Sequence, residues 1–135
     1  MPKHRDLTAS PTVIVIVDDD AAVRKSLKFS LEIEGFSVRA FSDGRELLDQ
    51  KEFPSCGCLI VDQNMPDMQG IDLIAVLRQR HISAPAILIT SHPSAALKAR
   101  AANDGVPIVE KPLLGSALID AIRSEMTRPS TPLHS

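Results

Sequence analysis

The chain has 135 residues, 44% of them hydrophobic and 24% charged, with a formal net charge of −2. That is the length of one domain with enough apolar side chain to bury a core, and the charge balance argues against electrostatic binding of nucleic acid or a membrane surface. With no Trp, no Tyr and four Phe, an aromatic platform for stacking single-stranded bases is not expected either.

Residues 1–11 are polar, contain two prolines and read as a flexible arm. Thr12 to Val17 is a continuous β-branched run that suits a strand buried on both faces. It stops at three aspartates, too soon for a signal segment or a membrane span. Ala21 to Glu34 follows with helical spacing, and Gly35 ends it. Phe36 to Phe41 alternates like a second strand, and DGRELLDQKE reads as a short helix. CLIV, from Cys58, is a third strand that runs into Asp62. Ile71 to His81 places Ile71, Ile74 and Leu77 on one stripe of a helix, with its basic residues late. Ala86 to Thr90 is a fourth strand, and PSAALKARAAND a helix closed by Gly105. Val106 to Val109 makes a fifth strand, which Pro107 assigns to an edge. Leu113 to Met126 is the last helix, with Leu114, Leu118 and Ile122 at i, i+4 and i+8, and residues 128–135 read as a disordered tail.

Strand and helix thus alternate five times over residues 12–127, which predicts an α/β domain: a doubly wound parallel sheet with helices on both faces. Cys56 and Cys58 are too close in sequence to suit a disulfide. They lack the further Cys or His of a zinc site, and read as reduced thiols of a cytoplasmic protein.

Polar residues gather at the carboxyl ends of the predicted strands, where open α/β sheets place their ligands. Asp18 and Asp19 end the first strand, Asp62 the third, Thr90 and Ser91 the fourth, and Lys111 follows the fifth. If strands one, three, four and five are neighbours, these side chains converge. Crowded carboxylates call for a cation, and an oxygen-only set suits Mg²⁺. A carboxylate is also a nucleophile toward phosphorus, giving an acyl phosphate, while Mg²⁺, an ammonium and a hydroxyl neutralise the charge. On local grounds Asp20 caps the first helix, Asp67 is a turn residue, Met65 and Met68 are packing, and His4, His81 and His134 are surface residues.

With VIVDDD, CLIVDQNMPDMQG, ILITS and VEKP in that order, the chain resembles the receiver domain of two-component response regulators over roughly residues 12–127. The resemblance implies the flavodoxin-like (βα)₅ fold with strand order 2-1-3-4-5. It makes Asp62 the phosphoacceptor, Thr90 a switch hydroxyl and Lys111 its ion-pair partner beside a cis Lys111–Pro112 bond. Asp18, Asp19, Asp62 and the backbone carbonyl of Asn64 would hold Mg²⁺. Asn64 and His92 occupy positions that tune loss of the phosphoryl group. The implied partners are a histidine kinase or phosphotransfer protein as donor and a separate downstream protein. That protein would be read by the face made by the fourth helix, fifth strand and fifth helix, through which homodimerisation is also open. No helix-turn-helix or output domain is recognised after Met126, so neither direct nucleic-acid binding nor membrane attachment is expected. Beyond self-catalysed phosphoryl transfer and dephosphorylation, no enzyme activity is implied.

One departure stands out: Ile108 occupies the position, three before the lysine, where many receivers carry an aromatic residue. With Pro93 and Pro107 on the same output face, it suggests an unusual partner or a muted response. Two rival functions are a haloacid-dehalogenase-type phosphatase, with Asp18 as nucleophile and Asp20 as acid/base, and a phosphorylation-independent receiver-like adaptor.

Overall fold

The structure, a computed structural model, describes residues 12–113 and 115–128. The expected arm at 1–11 and all of the expected tail beyond Arg128 lie outside the described residues. Strands β1 (Val13–Val17), β2 (Ser37–Phe41), β3 (Cys58–Asp62), β4 (Ala86–Thr90) and β5 (Ile108–Glu110) alternate with helices α1 (Ala21–Ile33), α2 (Gly44–Leu48), α3 (Gly70–Gln79), α4 (Ala95–Asn103) and α5 (Ala117–Thr127). All the strand pairs are parallel, in the order β2-β1-β3-β4-β5. The chain steps outward from β1 to β2, then crosses back past β1 to β3 and continues the other way. That reversal opens a crevice at the carboxyl ends of β1 and β3.

Alternation along the strands builds two cores. Val15, Val17, Leu59, Val61 and Leu88 pack on one face with Leu47 of α2, Leu73, Ile74 and Leu77 of α3, and Ala101 of α4. Ile14, Ile16, Ile60, Ile87 and Ile89 pack on the other with Leu27 and Leu31 of α1 and Leu118 and Ile122 of α5. This two-sided burial is why β1, β3 and β4 read as unbroken apolar runs rather than alternating ones. Each such side chain contributes about 1.5–3 kcal/mol when removed from water.

Several boundaries differ from the sequence expectation, each for a local reason. Helix α2 stops at Leu48, and Pro54 lies in the irregular link to β3. Helix α4 starts at Ala95 rather than Pro93, because His92 adopts φ +49° and the Ser94 hydroxyl, as N-cap, accepts the Leu97 N–H at 3.0 Å. Helix α5 starts at Ala117 rather than Leu113, because Gly115 sits at φ +66°, outside helical space. Leu114 lies outside the described residues, whereas Leu118 and Ile122 are buried as the stripe required. Strand β5 is shifted to Ile108–Glu110. Pro107 precedes it and supplies only its carbonyl, which accepts the Leu88 N–H at 2.9 Å, and the strand does lie at an edge. Gly35 (φ +98°) closes α1 as read from the sequence.

Candidate functional site

The loop after β1 is organised by its own aspartates. Asp18 is fully buried and donates its backbone N–H to the Phe41 carbonyl at 3.1 Å. Its Oδ1 accepts the Asp20 N–H at 2.9 Å. Asp20 in turn caps α1, with Oδ1 accepting from Ala22 N at 2.9 Å and Val23 N at 3.3 Å. Asp19, between them, is exposed.

The end of β3 is shaped by glycine and glutamine. Asp62 is 3% exposed. Gly70 opens α3 directly against this strand end: a Cβ there would collide with the Asp62 carbonyl and lie 2.9 Å from Val61 Cγ1 and Leu88 Cδ1. The turn between them is closed by an antiparallel bridge of Asn64 with Gln69 and by Gly70 N–H donating to the Gln63 carbonyl at 3.0 Å. The N-cap of α3, Gln69, makes no side-chain capping bond. Buried Gln63 takes that role, its Oε1 accepting the Ile71 N–H at 2.9 Å.

Beta pairing brings the remaining groups in. Thr90, 2% exposed, ends β4, and its carbonyl accepts the Lys111 N–H at 2.8 Å. Its Oγ1 accepts from Asn64 Nδ2 at 3.4 Å. The Lys111–Pro112 peptide bond is cis. Lys111 Nζ lies 3.2 Å from Asp62 Oδ1 and 3.7 Å from Asp18 Oδ2.

Asp18, Asp19 and Asp62 each bring a carboxylate oxygen within 4.8 Å of the others. Burial pushes both Asp18 and Asp62 above the ordinary carboxylate range, and the Asp18 charge raises Asp62 further, while Lys111 pulls both back down. Burial lowers the Lys111 ammonium, but its hydrogen bond to Asp62 and the two carboxylate charges more than offset that, so it stays above its ordinary value. Two buried carboxylates thus share one ammonium, with the exposed Asp19 carboxylate beside them. Among the described residues, Asp18 Oδ2 is the buried side-chain polar atom left without a hydrogen-bond partner. An oxygen-only, net-negative cluster with an orphaned carboxylate oxygen fits a hard divalent cation such as Mg²⁺.

The sequence-predicted residues Asp18, Asp19, Asp62, Thr90, Lys111 and Asn64 therefore all meet at one edge of the sheet. His92 lies beside them, lining a cleft of about 410 Å³ with Thr90, Asn64 and Arg100. Asp67 is a turn residue as read, and its Oδ2 also accepts the Arg45 N–H at 2.8 Å, tying this loop to α2. Met65 is core, and Met68 packs over Gly44. Sequence reasoning missed Gln63 and Arg24. Arg24 donates from Nη1 to the Asp18 carbonyl at 2.6 Å. A polar residue one step past a strand and an arginine inside a helix carry no local signal of such contacts.

Comparison with known proteins decides the family. The model of the response regulator receiver domain matches residues 14–123. The chain belongs to that family. The receiver is 36% identical over 112 residues to the transcriptional regulatory protein FixJ of Bradyrhizobium diazoefficiens, covering 82% of this chain and 55% of that protein. It is 33% identical to the response regulator protein TodT of Pseudomonas putida, covering 90% of this chain and 54% of that one. It therefore spans about half the length of these curated relatives. Among solved structures, the crystal structure of FixJ-N superposes with a TM-score of 0.79 at 31% identity, covering 92% of the receiver and all of that chain. Receiver domains are regulatory switches of two-component systems, with an acidic pocket that binds Mg²⁺. The match does not favour the phosphatase or the phosphorylation-independent adaptor. In the phosphatase reading Asp20 would be the acid/base, yet its Oδ1 is committed to the first turn of α1. No described helix is long and apolar enough to cross a membrane.

Proposed function

We propose that Asp62 is the phosphoacceptor of this receiver. The observation that carries the reading is the Lys111–Asp62 contact of 3.2 Å inside a cluster of three carboxylates. Asp18, Asp19, Asp62 and the Asn64 carbonyl would hold Mg²⁺, which neutralises charge on the transferring phosphoryl group. An Asp62 oxygen attacks phosphorus, the O–P bond forms as the N–P bond to the donor histidine breaks, and the leaving imidazole takes a proton. Lys111, already paired with Asp62, then balances the charge of the acyl phosphate. The Thr90 hydroxyl exchanges the hydrogen bond it donates to the Ser91 carbonyl at 3.4 Å for one donated to the phosphoryl group, biasing the face of α4, β5 and α5. The donor is a histidine kinase or phosphotransfer protein in the cytoplasm, and the changed face is read by a protein partner or a second receiver rather than by nucleic acid. Ile108, half-buried beside Leu88, supports a response carried by α4 and its preceding loop without an aromatic rotamer.

Intact mass after incubation with acetyl phosphate and Mg²⁺ tests the assignment. One hydroxylamine-labile phosphoryl group on the wild type and none on Asp62→Asn is expected. Undiminished labelling of Asp62→Asn, or none on the wild type with any donor, would overturn it.

A further inference from the structure

We propose that Arg24 is a positioning residue for the acid cluster, fixing the backbone of Asp18 so that its Oδ2, which accepts no hydrogen bond, is presented to the cation. This rests on reading Asp18, Asp19 and Asp62 as the Mg²⁺ ligands. Arg24 lies early in α1, and its N–H donates to the Asp20 carbonyl at 3.0 Å, closing the first turn. From there the guanidinium reaches back over the loop, and Nη1 donates to the Asp18 carbonyl at 2.6 Å.

Asp18 is consequently held at three points. Its N–H goes to Phe41, its carbonyl to Arg24 and its Oδ1 to the Asp20 N–H, which leaves Oδ2 without a hydrogen bond and with only the 3.7 Å ion pair to Lys111. The two backbone tethers fix where the side chain starts, and the Oδ1 bond restrains its rotation, before any cation arrives. Hydrogen bonds from charged donors are the stronger kind, and groups behind the ligands commonly set metal affinity by orienting them. The guanidinium binds a neutral carbonyl, not the adjacent Asp19 or Asp20 carboxylates.

Position and charge act in opposite directions here, which makes the proposal testable. A cation near the site repels Mg²⁺, so loss of its charge alone would tighten Mg²⁺ binding. Loss of the tether weakens it. Mg²⁺ affinity is measured by isothermal titration calorimetry on wild type, Arg24→Met, Arg24→Lys and, as a control for charge on the same helix, exposed Lys25→Met. Arg24→Met should weaken Mg²⁺ binding roughly tenfold. It should also slow phosphorylation by acetyl phosphate at low Mg²⁺, with most of the rate recovered at saturating Mg²⁺. Arg24→Lys, which can still reach the carbonyl with one ammonium donor, should regain part of the affinity, and Lys25→Met should match wild type. Unchanged or tighter Mg²⁺ binding by a folded Arg24→Met, with only a lower Tm, would sink the proposal. A wild type that takes no phosphoryl group but loses Mg²⁺ affinity on Arg24→Met would refute Asp62 as acceptor and leave Arg24 in its role.

Discussion

Asp62 and Asp18 end adjacent strands almost without solvent, and their shared partner is a single ammonium. A carboxyl group held above its ordinary range is one whose ionised form the fold disfavours on balance. Asp62→Asn should therefore raise stability in metal-free buffer, read from urea unfolding, while Mg²⁺ stabilises the wild type more than the variant. Cys58 offers a contrasting case, a buried thiol that takes no part in the site. Burial pushes it up to about 12 and Cys56 up to about 11, from an ordinary value of 9.0. Between pH 9 and those values the folded chain keeps protons that the unfolded chain has lost. Stability conferred by the buried neutral thiols is complete below pH 9 and falls as pH rises. With no Tyr in the chain, Cys58→Ala should visibly flatten the decline in Tm above pH 9, at a cost of about 1–2 kcal/mol near neutrality.

Among elements, the β3–α3 connection carries the most constraint. Gly70 brings the start of α3 onto the strand end so closely that no Cβ fits between it and the Asp62 carbonyl. Backbone cannot yield as a flexible side chain can. Gly70→Ala should cost at least about 3 kcal/mol by denaturant unfolding, and because the shift lands on Asp62 it should also slow phosphorylation. Gln63 makes the same connection rigid from the other side by capping α3 in place of its own N-cap residue. Asp67 anchors the outer part of the loop to the N-terminus of α2.

For the molecule as a whole, the sheet separates two cores that share backbone but face opposite helices. Ile74 of α3 lies in one and Ile122 of α5 in the other. Ile74→Val and Ile122→Val should each cost about 1 kcal/mol, and the double variant should lose their sum to within about 0.5 kcal/mol. One unfolding transition is expected throughout, since both helices pack on the same sheet. A coupling larger than the single costs would mean that the sheet transmits strain between its faces.

Element types, their order and the acids at the strand ends were legible in the residues, because buried parallel strands need continuous apolar runs and helices need a stripe. So was the capping by Asp20, a contact made within one turn. What only the tertiary structure decided was which groups touch. The reach of Lys111 to Asp62 depends on β3, β4 and β5 lying side by side, and the start of α5 depends on Gly115 turning the chain at φ +66°. Gln63 and Arg24 gained their partners only once the connections had closed over the sheet edge. Periodicity is a property of neighbours along the chain, whereas strand order and loop closure follow from packing summed over both cores. The residues that gather at the strand ends could therefore be named from the sequence, but the tethers that hold them could not.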